Sequence, residues 1–326
     1  IHAVEASPHP EKADRAADTL RDLQPGLGHL VHMPSHIDVR RGRWQQAIEA
    51  NAKAIEADRR YAARAPEPGF YRLYMSHNHH MLAYGAMMTG QSALAVATIR
   101  EMVDAIPLAF YAANPWADGF KAMPLEVLMR FGRWDEILAE PAFPDVVPIS
   151  RSLQHYARAV AHAAKGDLDA ARSEQAAFAA ARQRVAKEAT FGNNTGSDIL
   201  DVAESFMRGE ILFRSGKIDE GLASLKEAAA REDRLRYDEP PDWIQPVRHA
   251  WGAALLQAGR FAEAEAVFRE DLAKLPENGW ALYGLSRALA LQKKADEAAA
   301  LERRFDAVWR RADLKIKSAC LCLPGV

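Results

Sequence analysis

The sequence predicts an all-α fold, an α-solenoid of about seven helical hairpins that forms a single domain over residues 1–326. The first observation behind this prediction is a recurrent pattern: a helix-length stretch with apolar periodicity, a turn, and a second amphipathic helix rich in alanine. The second is that no stretch alternates between polar and apolar residues, as a strand would, for more than a few positions. Each hairpin buries only one face, so neighbours must stack to complete the core.

Glycine marks the turn in most copies of the pattern, because it adopts the left-handed conformation that ends a helix at little cost. Successive glycines are between 34 residues apart, from Gly132 to Gly166, and 50 apart, from Gly166 to Gly216. A strict tetratricopeptide array would hold 34 residues. We therefore expect degenerate repeats, with Pro-rich aromatic insertions that cover one mouth of the superhelix. The turns are at Gly42, Gly90, Gly132, Gly166, Gly216 and Gly259, and a seventh copy starts at Lys293 without glycine.

Composition restricts the partners. The formal net charge of −2 gives no reason to expect nucleic acid or an anionic membrane. No run approaches the roughly 18 apolar residues of a membrane span, and we expect a cytoplasmic protein.

The chain begins at Ile1 inside a helical pattern, so we expect that an N-terminal part of the protein is missing. Cys320 and Cys322, in a C-terminal tail at 312–326, are too few for a disulfide framework. We expect them to be exposed bystanders, and the alternative is that the two thiols bind a soft metal or oxidise.

Histidines are concentrated at the start of the chain. Eight of the eleven lie in the first 80 residues, within a His-rich part at 1–90. Side chains three, four or seven positions apart share one face of a helix. Successive helical segments thus each present a one-turn group: His2 with Glu5, then His29, His32 and His36, then His77 and His80.

Imidazole and carboxylate are ligands that divalent transition metals accept from proteins, and one-turn pairs can clamp one ion. We therefore predict a shared metal site, with zinc as the favoured ion and copper, iron or nickel also compatible. Pro34 should kink its helix and help to aim the flanking histidines. The alternative is that these histidines only cap helices or hydrogen-bond to one another. The predicted ligands are His2, His29, His32, His36, His77 and His80.

The same residues resemble a largely uncharacterised family of bacterial tetratricopeptide repeat proteins. Its members carry a His-Pro-Gly-x-x-His-Tyr-x-Ile-His-Ala segment and then a His-Met-Pro-(Ser/Ala)-His-Ile helix. The second element is complete at residues 32–37, whereas the first is represented only by residues 1–3. The resemblance covers essentially the whole chain. It implies the repeat fold and makes the histidine motif a family feature, but it assigns no reaction. Further matching blocks are at 77–80, 130–138, 237–243 and 278–285.

The acidic turn at residues 237–243 (YDEPPDW) has two interpretations. Its carboxylates can form an N-terminal cap for a helix that starts at Trp243. Alternatively, Glu239 or Asp242 reaches the concave face of the solenoid as a base or a ligand.

Two functions are compatible with these features. The first is a metal-dependent hydrolase of the ester or phosphoester type, in which Glu5 and Glu239 are the catalytic carboxylates. Copper or iron redox chemistry fits the same ligand set. The second is a scaffold that binds a protein or peptide in its concave groove without catalysis. The expected partner is a small-molecule substrate or a peptide in that groove, and the oligomeric state stays open.

Overall fold

Successive helix pairs build the protein, as described by a computed structural model that covers residues 1–67 and 69–323. None of the helices in these residues combines the length and the apolar character that a membrane span requires. The helices are α1 (His2–Glu5), α2 (Asp14–Leu20), α3 (Gly28–His32), α4 (Pro34–Arg40), α5 (Trp44–Ala62), α6 (Arg72–Met88), α7 (Ser92–Asp104), α8 (Leu108–Ala113), α9 (Met123–Arg130), α10 (Trp134–Ala139), α11 (Pro148–Ala164), α12 (Leu168–Arg182), α13 (Gly196–Arg214), α14 (Ile218–Glu232), α15 (Val247–Gln257), α16 (Phe261–Lys274), α17 (Gly279–Leu291) and α18 (Ala295–Trp309). Short 3-10 helices span Pro10–Ala13, Gly69–Tyr71 and Pro115–Ala122.

The predicted all-α solenoid is confirmed. Helices pack in consecutive pairs: α4 with α5, α6 with α7, α9 with α10, α11 with α12, α13 with α14, α15 with α16, and α17 with α18. Each turn glycine of the pattern has a positive φ, for example 69° at Gly42 and 87° at Gly166. Lys293 has a φ of 64° and adopts the same left-handed conformation in the seventh turn. The seventh turn therefore keeps the left-handed backbone geometry although lysine replaces glycine there.

The two ends of the solenoid meet. Trp280 of α17 is fully buried, and its indole N–H donates to the Met87 carbonyl of α6 over 2.7 Å. Trp44 of α5 donates to the Pro276 carbonyl over 2.8 Å, in the connection between α16 and α17. The last hairpin is thus anchored on the first two, and the repeat array closes on itself.

The C-terminal segment corrects one expectation. Cys320 and Cys322 are buried, not exposed, and a disulfide joins them. The buried Arg130 guanidinium donates to the Ala319 carbonyl over 3.0 Å, which ties this segment to α9. Cys320 and Leu323 belong to the main hydrophobic core, so the segment packs against the helices of the solenoid. Residues 324–326 of the predicted tail lie outside the described residues.

A small β-hairpin that the sequence patterns do not predict fixes the acidic turn in place. Strand β1 (Thr190–Phe191) pairs with β2 (Asn194–Thr195) in antiparallel fashion. The Asn194 amide donates to Asp242 over 2.7 Å. At Gly192, φ is 56° and a Cβ would lie 1.8 Å from Asp242 Oδ1, so only glycine fits there.

The capping interpretation of the acidic turn is wrong. Helix α15 begins at Val247, and its first N–H donates to the Glu232 carboxylate of α14, not to a carboxylate of the acidic turn. Asp242 binds the β-hairpin instead, while Glu239 and Trp243 are buried inside the solenoid. Glu239 thus lies beside His36 and not at the N-terminus of a helix.

Glu210 of α13 carries a testable consequence of burial. Both carboxylate oxygens are buried without a hydrogen-bond partner, and Arg214 Nε lies 3.8 Å from Oε2. Burial outweighs this ion pair and raises the pKa of the carboxyl from 4.5 to about 8. The folded state therefore binds the proton more tightly than the unfolded state, and stability is lost as the pH rises from about 4.5 to 8. We expect Glu210→Gln to raise the free energy of unfolding by roughly 1–3 kcal/mol at pH 8 and to change it little at pH 4. Urea denaturation of both proteins across this range measures the difference, and equal stability at pH 8 would contradict the prediction.

Candidate metal centre

Helices α3, α4 and α6 bring three histidines together. Pro34 separates α3 from α4, as its missing N–H predicts, and His32 and His36 lie on either side of it. His77 of α6 packs against both, with its ring centroid 4.6 Å from that of His32 and 5.4 Å from that of His36. Each of the three offers a ring nitrogen, and these nitrogens all lie within 4.8 Å of one another. We call His32, His36 and His77 the imidazole cluster.

The two buried members of the imidazole cluster face each other directly. His32 Nε2 lies 2.7 Å from His36 Nε2. Two nitrogen lone pairs cannot approach this closely without a hydrogen between them, so in this arrangement one ring donates an N–H to the lone pair of the other.

Neighbouring side chains settle which nitrogen of His32 carries hydrogen. His32 Nδ1 lies 2.7 Å from Asn51 Oδ1, and the Asn51 amide nitrogen donates to the Ala47 carbonyl over 2.8 Å. The amide oxygen therefore faces the ring and accepts from Nδ1–H. This arrangement leaves the lone pair of His32 on Nε2, where it accepts from His36 and where a metal ion would bind in place of that hydrogen.

His36 is oriented in the same way by carboxylates. Its Nδ1 lies 3.0 Å from Glu5 Oε2 and 3.1 Å from Glu239 Oε2. Both carboxylates accept from this side of the ring, so Nε2 points to the interior of the imidazole cluster. A carboxylate behind a histidine is the usual support of a metal-binding imidazole.

The pKa values follow from these contacts. Burial, with the neighbouring imidazoles, lowers the pKa of His32 and of His77 well below the usual value and keeps both rings neutral. Burial would also lower the pKa of His36, but its hydrogen bonds to Glu239 and Glu5 raise it to about 9. Burial opposes ionisation of Glu5 as well, yet His36 and His2 lower the pKa of Glu5 to about 2. For Glu239, burial outweighs the His36 contact and raises the pKa.

A second group of possible ligands lies on the outer side of His36. His2 Nδ1 is 2.9 Å from Glu5 Oε1, and with His36 these residues offer ligand atoms within 4.8 Å of one another. His2 is the exposed member, with 60% of its side chain accessible. His36 is thus shared by both groups, through a different nitrogen in each.

Two predicted ligands lie outside both groups. His29 stacks on His32 with ring centroids 5.9 Å apart, and its Nδ1 is buried without a hydrogen-bond partner. His80 packs edge-on against Phe120 at 6.0 Å. Among the described residues, neither shares the close set of ligand atoms found at His32, His36 and His77. Helical spacing did not identify Asn51, whose amide oxygen contacts His32.

Comparison with known protein families supports the helical-repeat fold in the C-terminal part of the chain. Residues 255–301 match the family described as "Tetratricopeptide repeat". This part of the chain includes α16 and α17, so the protein contains a tetratricopeptide repeat. Comparison with curated proteins gives no match.

Proposed function

We propose that the protein is a metal-dependent hydrolase, in which His32, His36 and His77 hold one zinc ion on the tetratricopeptide-like scaffold. The observation that carries this proposal is the 2.7 Å approach of two Nε2 atoms, each on a ring whose Nδ1 faces an acceptor. Tetrahedral zinc with Zn–N bonds of 2.0–2.1 Å places two ligand nitrogens about 3.4 Å apart. Both rings therefore need to separate only slightly to accept the ion.

Three imidazoles leave one zinc position open, and zinc bound in this way supplies a Lewis acid and lowers the pKa of bound water to about 7. The two carboxylates on His36 differ in what they can do. Glu5, with a pKa of about 2, is a weak base and serves to orient His36. Glu239 is the better general base, because burial raises its pKa and its Oε1 has no hydrogen-bond partner.

Hydrolysis is tested with chromogenic carboxylic esters and phosphoesters. We expect turnover that a chelator abolishes and that zinc restores, and we expect His32→Ala to lower kcat/KM by at least about 100-fold. Turnover that survives both the chelator and His32→Ala would overturn the proposal. The redox alternative predicts that copper or iron added to the chelated protein restores an oxidation that zinc does not support, and that neither metal is needed for ester hydrolysis.

Asn51→Leu tests the orientation of His32. Removing the acceptor leaves Nδ1–H with the longer contact to Ser35 Oγ, at 3.4 Å, and frees the ring to rotate or to change tautomer. The affinity for zinc should therefore fall about 10- to 100-fold. Competition with a chromogenic chelator measures this affinity. Asn114→Leu is the matched control, because the Asn114 amide only donates to the Phe110 carbonyl. An Asn51→Leu protein that binds zinc as tightly as the control would refute the role of Asn51.

A second candidate function is supported by the repeat match at residues 255–301. Helical-repeat solenoids generally bind proteins or peptides on their concave surface. Here a cavity of about 330 Å³ is lined by charged side chains, including Glu232, Arg236 and Lys274. A scaffold of this kind would capture peptides equally well before and after chelation, which distinguishes it from the hydrolase.

A further inference from the structure

A small apolar cavity adjoins the imidazole cluster. It has a volume of about 150 Å³. Phe110, Trp116 and Phe120 contribute aromatic side chains to its wall, and Leu73 contributes an aliphatic one. We call this space the aromatic cavity. A protein cavity of about this volume, lined by apolar side chains, accommodates one benzene ring.

The wall of the aromatic cavity already has the geometry that aromatic groups prefer. Phe110 and Trp116 meet edge to face with centroids 6.2 Å apart, and Phe120 meets His80 in the same way. A further ring can add to such edge-to-face contacts, which stabilise aromatic pairs beyond their area of burial. His80 lines the cavity, and its buried Nε2 has no hydrogen-bond partner. A ligand that carries a hydroxyl or carbonyl group could satisfy this nitrogen.

Two residues connect the aromatic cavity with the proposed chemistry. His77 belongs to both the imidazole cluster and the cavity wall. Glu239 lines the cavity and contacts His36 through Oε2. A ring in the cavity therefore places its substituent beside one metal ligand and beside the general base.

Charge narrows the class of ligand further. The described wall includes Asp238, Glu239 and Asp242, and it includes no lysine or arginine. An anionic group, such as the phosphate of a phosphomonoester or a free carboxylate, would meet these acids without a lysine or arginine in the described wall, and the His36 cation is already paired with Glu239. A neutral group next to the ring avoids this repulsion.

From these contacts we infer that the aromatic cavity binds the ring of a neutral aryl substrate, and that the enzyme hydrolyses a carboxylic ester group next to that ring. This inference rests on the proposed hydrolase function. The reaction is an ester hydrolysis. Water adds to the acyl carbon, the bond between the acyl carbon and the alcohol oxygen breaks, and the departing alcohol takes a proton from the water.

Fluorine NMR of the chelated protein tests the cavity without any catalysis. We expect 4-fluorophenol to bind with a roughly millimolar Kd, the scale open to so small a ligand, and 4-fluorobenzoate to bind at least about tenfold more weakly. Leu73→Trp fills the aromatic cavity and should weaken 4-fluorophenol binding by at least about tenfold. Leu94→Trp is the matched control, because Leu94 is an exposed leucine on α7. Ala117→Leu, at a buried position in the same wall, replaces Leu73→Trp if that variant does not fold.

The outcomes separate the two proposals. Binding of 4-fluorophenol that Leu73→Trp abolishes, together with faster zinc-dependent turnover of a phenyl ester than of an ethyl ester, supports the inference. Binding at the cavity without any hydrolysis would overturn the proposed function and with it the ester assignment. Zinc-dependent hydrolysis with no binding of 4-fluorophenol, or with binding that Leu73→Trp leaves unchanged, would overturn the inference alone.

Discussion

Replacing His36 by alanine is expected to weaken zinc binding by at least about 100-fold. Loss of a group that merely supports a ligand already costs about 10- to 100-fold in affinity. His36 is itself a proposed ligand, and it is the ring that Glu5 and Glu239 both orient. Competition with a chromogenic chelator measures the affinity. Far-UV circular dichroism establishes whether the fold survives, because the substitution leaves the buried Glu239 without its cationic partner.

The matched control is His80→Ala. His80 and His36 are equally buried, each with 4% of its surface accessible, but His80 lies outside the imidazole cluster. We expect His80→Ala to bind zinc as the unmodified protein does. Equal losses in the two variants, or no loss in His36→Ala, would contradict the assignment of His36.

Replacing Trp280 by alanine is expected to lower the free energy of unfolding by about 3–5 kcal/mol, the range for removal of a buried tryptophan. The indole is fully buried, with the Arg130 guanidinium 3.9 Å above its ring and Trp309 edge-on at 5.2 Å. Its N–H also holds the Met87 carbonyl across the junction between the two ends of the solenoid. The substitution thus opens a cavity at the contact that closes the array.

Urea denaturation followed by circular dichroism measures this loss. Trp116→Ala is the control, because Trp116 keeps 39% of its surface exposed, and it should cost less than about 1.5 kcal/mol. A loss below about 1.5 kcal/mol in Trp280→Ala, or equal losses in the two variants, would contradict the prediction.

Local sequence patterns predicted the repeats because each turn has one backbone requirement, a left-handed residue, that glycine marks directly. Local patterns could not predict that the two ends of the array meet. Trp280 and Met87 are 193 positions apart, and neither helical periodicity nor turn composition encodes which distant helices meet. The β-hairpin at residues 190–195 was missed because strands of two residues are too short to alternate.

For the candidate site, helical spacing placed His32 and His36 on one side of a helix broken at Pro34, and the structure brings His77 to them. Spacing also grouped His80 with His77, but the structure packs His80 against Phe120. One turn of helix can therefore span two environments. The contact of Glu239 with His36 joins residues 203 positions apart and depends on tertiary folding.

The most direct test of the central claim is the metal content of protein purified without a histidine tag. Inductively coupled plasma mass spectrometry after extensive dialysis measures this content. We expect about one zinc per chain, as for a site with three imidazole ligands, and its loss in His36→Ala. Zinc below about a tenth of an equivalent after reconstitution, with the same value in His36→Ala, would contradict it. In that case a shared proton alone would account for the 2.7 Å contact between His32 and His36.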